Sequence, residues 1–386
     1  MKQRPLMIAL GLLTLTRLVI NTGHRLVSPF LPVIARGLGV PLESAGLLVA
    51  ARSAAAMATP AIVTAGKRYD RRALVVVGLG IFLVGSGIAA LVGAYGGVLA
   101  GFVLMGLGKA VFDVSGQAYL SDRVPYESRA RWLAAFETTW AGGFLVGAPA
   151  VGWIISLSGW ETAYGVIAVV VGVAAIGAVV LLDEDHAGMA ERGRLSLDRS
   201  AIGMLAVATL FSAGGEFTTV VLGAWLEDSF AIALAGIAGL ASLIGVAELT
   251  GAFSTGLFTD RLGKKRAVSI GLVINAIGYT VMGLSGGSVV LGVGGALVAF
   301  LGFEFLIVSS FPLASELVPG GRGRYLAWLV VAISLGRSVA GAIGPVLFTS
   351  IGFGANATAA VVVDLLALTL LRLTVAEPGT LANGSR

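Results

Sequence analysis

The sequence predicts an all-α integral membrane protein of twelve transmembrane helices in two pseudo-symmetric six-helix bundles. Three observations carry this. Hydrophobic residues make up 57% of the 386 and charged ones only 12%, against about 25% charged in a soluble domain, so the bilayer is the natural solvent for this surface. Twelve apolar runs follow one another, each near the ~20 residues that cross a membrane, and the one long polar interruption, Asp183 to Ser200, divides them six and six. A charged loop recurs at half-chain spacing: Asp70 and Asp260 are 190 positions apart (260 − 70), which points to two similar halves.

The runs fall at 6–35, 44–66, 73–94, 98–121, 131–157 and 161–182, then at 201–226, 231–258, 267–285, 288–315, 324–350 and 354–375. Residues 1–182 are thus expected to form the first bundle, 183–200 a cytoplasmic linker, and 201–386 the second bundle. Lys2 and Arg4 precede a first run that is long and has no small-residue cleavage site, so the expectation is a first helix rather than a removed leader. Fifty-six glycines suit helices that approach closely in lipid. Alternate loops hold Lys67, Arg68, Arg71 and Arg72, then Arg123, Arg129 and Arg131, then Lys264, Lys265 and Arg266; the opposite loops hold only Arg36. The positive-inside rule then places both termini in the cytoplasm of a protein in the plasma or inner membrane.

Composition also excludes classes. The net charge of +5 is scattered over short loops rather than gathered in a stripe, so nucleic acid is not expected. There is no cysteine, and the two histidines, His24 in the first run and His186 in the linker, form no ligand pair. No phosphate-binding glycine loop or nucleophile elbow is present. Neither an enzyme, a cofactor, a metal nor a nucleotide-driven pump is expected.

The charged loop reads Gly256-Leu-Phe-Thr-Asp260-Arg261-Leu-Gly263-Lys264-Lys265-Arg266, and its weaker copy keeps Gly66, Asp70 and Arg71 but lacks the second glycine. The pattern G-x-x-x-D-R-x-G-[RK]-[RK] at half-chain spacing resembles the major facilitator superfamily of secondary transporters. A second landmark repeats with it: Asp122-Arg-Val-Pro125 and Glu316-Leu-Val-Pro319 lie 194 apart (316 − 122). Pro29-Phe-Leu-Pro32 with Gly39 is similar to drug-efflux branches. So is Gly142 to Gly152, which looks like the antiporter signature G-x-x-x-G-P-x-x-G with Ala148 in place of a glycine; Gly336, Gly341, Gly344 and Pro345 form a comparable pattern in the eleventh run. Phe102 stands where efflux relatives usually carry an arginine. The resemblance implies alternating access and a cytoplasmic latch. In it Asp70 caps the eleventh helix, Arg71 meets Asp122, and Arg261, beside Asp260, meets Glu316.

Charges inside the apolar runs are the candidate transport residues, because an ionisable group at mid-bilayer costs about 2.5–3.5 kcal/mol. Arg17, Asn21, His24 and Ser28, spaced 4, 3 and 4, share one helical face with Arg25 beside it. The face reads as a cavity wall or as a structural network, with Arg25 alternatively reaching to the outer interface; His24 could carry a proton or simply hydrogen-bond. Arg52 needs a partner, with Asp113 and Glu137 the candidates. Lys109 and Asp113 form an i,i+4 pair. In the second half Glu216, Glu248, Glu304, Arg337 and Asp364 are embedded. Asp113, Glu137, Glu216 and Glu304 are the proton-coupling candidates, since desolvation favours a neutral carboxyl. Trp140, Trp225 and Trp328 could line a cavity or sit at an interface.

The function expected is proton-coupled export of a small organic or amphipathic compound, anionic or zwitterionic, with small molecules, protons and the bilayer as partners and the chain acting as a monomer. Uptake of an organic anion or sugar is the alternative within transport. A non-transporting receptor or scaffold is the alternative outside it.

Overall fold

The computed structural model describes residues 3–65, 69–184 and 197–376. Gly66, Lys67 and Arg68 of the first charged loop, and most of the expected linker with His186, lie outside the described residues. Every regular element among the described residues is helical. The first half holds α1 (Gln3–Arg25), α2 (Val27–Leu38), α3 (Leu42–Ala55), α4 (Thr59–Ala65), α5 (Arg71–Leu91), α6 (Tyr95–Arg123), α7 (Tyr126–Gly142) and α8 (Ala148–Leu181). The second holds α9 (Arg199–Thr219), α10 (Leu222–Phe230), α11 (Leu234–Leu262), α12 (Lys264–Gly283), α13 (Val289–Leu317), α14 (Arg322–Ser350) and α15 (Phe353–Thr374).

Eleven stretches among these residues are long and apolar enough to cross a bilayer. One of them, Arg131–Leu181, has 51 residues. At ~1.5 Å per residue that is about 75 Å of helix, more than twice the ~30 Å hydrocarbon core. It is interrupted at Gly159, whose φ of 86° and ψ of 166° belong to backbone space that glycine enters without a Cβ clash. This stretch therefore holds two spans, and the chain has twelve.

Packing divides the chain into two compact units, one drawn from Met1–Ala190 and Ala233–Ser242, the other from Glu191–Ile232 and Leu243–Arg386. The two repeat one plan at an offset of 193–194 residues. The first span of each is broken at matching places, between α1 and α2 at Leu26 and between α9 and α10 at Val220 (220 − 26 = 194). In the first unit α5 and α6 touch backbone to backbone. A Cβ on Gly78 would sit 2.7 Å from the Phe112 nitrogen, and one on Gly108 would sit 2.5 Å from the Phe82 nitrogen. In the second unit α12 and α13 meet the same way. A Cβ on Gly271 would lie 2.7 Å from the Leu306 side chain, and one on Gly295 would lie 2.7 Å from the Met282 nitrogen. Gly78 maps to Gly271 and Phe112 to Leu306. Such contacts between small residues hold helices together where lipid supplies no hydrophobic drive.

Caps and turns follow from local chemistry. The Ala73 amide donates to Asp70 Oδ2 at 3.0 Å and the Ala201 amide to Asp198 Oδ1 at 2.8 Å, so aspartates start α5 and α9. The second charged loop is shorter than its composition suggests. α11 continues through Asp260 and Arg261 to Leu262, and Gly263 alone, at φ 86°, turns the chain into α12.

Candidate functional site

The first unit gathers its embedded charges between α1, α6 and α7. Arg17 spends its whole guanidinium there. Its Nε donates to Asp113 Oδ1 at 3.1 Å, its Nη2 to Glu137 Oε2 at 3.1 Å, and its Nη1 to the Phe136 carbonyl at 2.5 Å. The guanidinium also lies 4.2 Å from the Phe136 ring centre. Lys109 Nζ donates to Asp113 Oδ2 at 2.6 Å and to Asn21 Oδ1 at 2.7 Å. Asn21 Nδ2 in turn donates to Thr139 Oγ1 at 3.0 Å, and that hydroxyl to the Phe136 carbonyl at 2.6 Å. Gln117 Nε2 donates to Glu137 Oε1 at 3.2 Å.

Two cations and two carboxylates make the cluster neutral, which offsets much of the penalty of embedding each charge. The exposure is uneven. The Arg17 and Lys109 side chains are 9% and 10% exposed, Asp113 26% and Glu137 52%. The cations are sealed into the helix packing and the carboxylates form the open face. That face can accept protons or bind a cationic group.

Around this cluster sit the other residues of the α1 face. Arg25 donates from Nη1 to the Trp140 carbonyl at 2.9 Å, and its guanidinium lies 4.4 Å from the Trp140 ring and 3.5 Å from the Phe144 ring. It is held inside the unit by hydrogen bonding and cation–π attraction rather than reaching outward. The His24 ring stands 6.1 Å from Trp140. Arg52 does not join Asp113 or Glu137, which Arg17 and Lys109 already occupy. It donates from Nη1 to the His24 carbonyl, tying α3 to α1. Trp225 is buried and stacks on Phe353 at 4.1 Å, whereas Trp328 is exposed on its helix.

The charged residues at the loop ends of the helices form pairs within each unit. Arg71 pairs with Asp122 and also donates to the Ala118 carbonyl at 2.9 Å. Glu316 pairs with Lys264 rather than with Arg261. The physical reason is the one-residue turn: Gly263 swings Lys264 to the start of α12, facing the end of α13, and leaves Asp260 and Arg261 exposed at the end of α11. Asp70 serves as the cap of its own helix, as described above.

In the second unit Glu216, Glu304, Glu248 and Asp364 are all buried. Sequence reading missed Gln117, Thr139 and the Phe136 carbonyl as members of the first network, and Asn275 in the second unit. Gln117 was findable, four residues beyond Asp113 on the same helical face. Thr139 and Asn275 give no signal beyond being polar in an apolar run. Among the described residues no group of three or more His, Cys, Asp or Glu is placed to hold a metal.

The family model of the Major Facilitator Superfamily matches residues 13–202 and 205–386, nearly the whole chain. The chain belongs to the Major Facilitator Superfamily. It is accordingly a multi-pass membrane transporter and not an enzyme. Curated relatives include the uncharacterized MFS-type transporter YbcL of Bacillus subtilis (strain 168), 22% identical over 78% of this chain and 77% of that protein. Another is the class C tetracycline resistance protein of Escherichia coli, 25% identical over 72% of this chain and 73% of that protein. Among solved structures, a D-xylose-proton symporter superposes with a TM-score of 0.79 over 96% of this chain and 98% of that one, at 16% identity. At that identity the likeness establishes the fold.

Proposed function

We propose that this superfamily member exports a small amphipathic compound in exchange for protons by alternating access. In this reading it works as a monomer in the plasma or inner membrane, with both termini cytoplasmic. The observation that carries the reading is the neutral cluster of the first unit, with its cations sealed and its carboxylates open. A proton on Glu137 or Asp113 removes the charge that a cationic group on the substrate needs. Proton and substrate then compete for the same oxygens, and a carrier whose two ligands exclude each other exchanges one for the other. Inward proton movement would drive outward substrate movement. Arg17 and Lys109 hold the two acids in place through each exchange and receive any anionic part of a zwitterion when the acids are neutral. Trp140, 5.6 Å from the Lys109 ammonium, and the Arg25 guanidinium beside it supply an aromatic and cationic rim. The similarity to a tetracycline resistance protein supports export over uptake.

A ligand-stabilisation screen across drugs, lysolipids, sugars and organic acids first identifies compounds that raise the melting temperature of the purified protein. The hit is then loaded into proteoliposomes with an imposed pH gradient. The proposal predicts that substrate moves opposite to protons, and that stabilisation by substrate weakens as pH falls. Movement of both in the same direction would show uptake coupling instead. Single substitutions Glu137→Gln and Asp113→Asn that leave flux unchanged would place the coupling elsewhere, and no flux of any stabilising compound would favour a receptor or scaffold.

A further inference from the structure

The second unit holds a carboxyl that no ion pair accounts for. Asp364 is the twelfth of the 22 residues of α15 (364 − 353 + 1), mid-span, and 1% exposed. Neither of its oxygens accepts a hydrogen bond among the described residues. Its Oδ1 lies against α9 at Gly214, where a Cβ would come within 2.9 Å of it. From α12 it is faced by Asn275, which is fully buried and whose amide oxygen and nitrogen are themselves unbonded. Asn275 is the twelfth of the 20 residues of α12 (275 − 264 + 1), so the two groups meet at the same depth. Of the titratable groups, Tyr279 from α12 lies near Asp364 and also near Glu216 of α9. From α14, no cation bonds to Asp364; its mid-helix Arg337 stands over the Phe303 ring at 5.8 Å.

The scaffold does not require a polar group here. At the 193-residue offset that maps Gly78 to Gly271 and Gly85 to Gly278, Asn275 corresponds to Phe82 (275 − 193), which is fully buried. In the first unit that spot is hydrocarbon: a Cβ on Gly23 would meet Phe82 at 3.3 Å and Ile167 at 3.2 Å. The same packing problem is solved once with hydrocarbon and once with a carboxyl facing an amide. An ionised carboxylate with no cation bonded to it at mid-bilayer is the more expensive of the two charge states. A neutral acid, which brings its own O–H donor, is the inexpensive one.

We propose that Asp364 is a proton-holding site of the second unit: its carboxyl is kept as the neutral acid beside Asn275 and exchanges that proton during the transport cycle. The proton leaves or enters the carboxyl oxygen with no other bond changed. The transport part rests on the proton-coupled reading above; the protonation part does not.

Infrared spectra of the purified full chain at neutral pH separate the two. The wild type should show a protonated-carboxyl C=O stretch that shifts in D2O, and Asp364→Asn should lose one acid's share of that band while Glu216→Gln keeps that share. A band of unchanged size in Asp364→Asn overturns the proposal. So does loss of the Asp364 share in wild type when sodium chloride replaces choline chloride at fixed pH, because a bound cation would then hold the carboxylate. If Asp364→Asn does not yield folded protein, Asp364→Glu should move the band's frequency, and an unmoved band overturns the proposal equally. In proteoliposomes Asp364→Asn should lose substrate movement driven by a pH gradient while retaining substrate counterflow; retention of pH-driven movement at the wild-type rate overturns the coupling. Wild-type flux that ignores the pH gradient, with the infrared result intact, would defeat the proton-coupled reading and leave the protonation site standing.

Discussion

The two units share a scaffold and differ in what fills it. At the 194-residue offset Arg17 corresponds to Phe211, Asn21 to Gly215, Lys109 to Phe303 and Asp113 to Ile307. The contacts correspond too. Where Lys109 reaches Asn21 at 2.7 Å, Phe303 lies against Gly215, within 2.6 Å of where a Cβ would be, and Phe211 meets Phe303 edge to face at 6.1 Å. One geometry holds an ion network in the first unit and an aromatic pair in the second. The fold therefore does not need the ions. Their retention in the first unit, open on the carboxylate side, is what the proposed exchange uses, and the inverse holds at Phe82 and Asn275.

The comparison can be broken at several places. Arg17→Ala should have the largest effect. It leaves Asp113 with Lys109 alone and Glu137 with Gln117 alone, and breaking a buried pair from one side costs about 3–5 kcal/mol. The half-open Glu137 recovers part of this by hydration, so the lower end is expected. Thermal unfolding in detergent should show a loss of many degrees, and transport should vanish. If Arg17→Ala melts like wild type, the cluster is not what orders α1, α6 and α7.

Glu137→Gln should come next. The amide keeps the Gln117 and Arg17 neighbours but cannot compete for protons. Substrate affinity should fall, and its pH dependence, weaker binding at lower pH in the wild type, should flatten. Titration of the ligand-induced melting shift against pH measures this; a slope as steep as the wild type's would place the competition elsewhere.

The shared scaffold predicts matched damage. Gly108→Ala pushes a methyl to 2.5 Å from the Phe82 nitrogen, and Gly302→Ala pushes one to 2.7 Å from Asn275 Oδ1. Overpacking of this kind costs about 1–3 kcal/mol. Both variants should lose stability by similar amounts in unfolding assays. A tolerated Gly302→Ala beside a damaging Gly108→Ala would show that the second helix pair is looser than the first. Smallest is Asp70→Ala, which removes the cap bond to the Ala73 amide for about 1 kcal/mol. Asp70→Asn should preserve that bond and the stability with it.

Much of this was legible in the sequence. The apolar runs give the spans because a bilayer admits only helices whose backbone bonds are satisfied within the segment. The gap between 157 and 161 marks the break at Gly159, where the backbone leaves helical φ and ψ. Arg17, Lys109, Asp113 and Glu137 stand out because charge in an apolar run has few reasons to exist. Pairing was harder to read. The i,i+4 spacing gives Lys109 with Asp113, but Arg17 and Glu137 are 120 residues apart and Arg52 turned instead to a backbone carbonyl. Glu316 found Lys264 because one glycine compressed the loop, a matter of φ and not of composition. Asn275 is silent in sequence. Only its burial beside Asp364, and the Phe82 that replaces it in the other unit, give it meaning.

The most direct test of the ion network as the transport site is to give the first unit the residues of the second. The variant Arg17→Phe, Asn21→Gly, Lys109→Phe, Asp113→Ile, Glu137→Val removes the four charges together and gives position 21 the room that Gly215 leaves for Phe303. It should fold, with a melting temperature within a few degrees of wild type. The compound that stabilises wild type in the ligand screen should then produce no shift and no flux. A folded variant still stabilised and still transporting that compound would contradict the account.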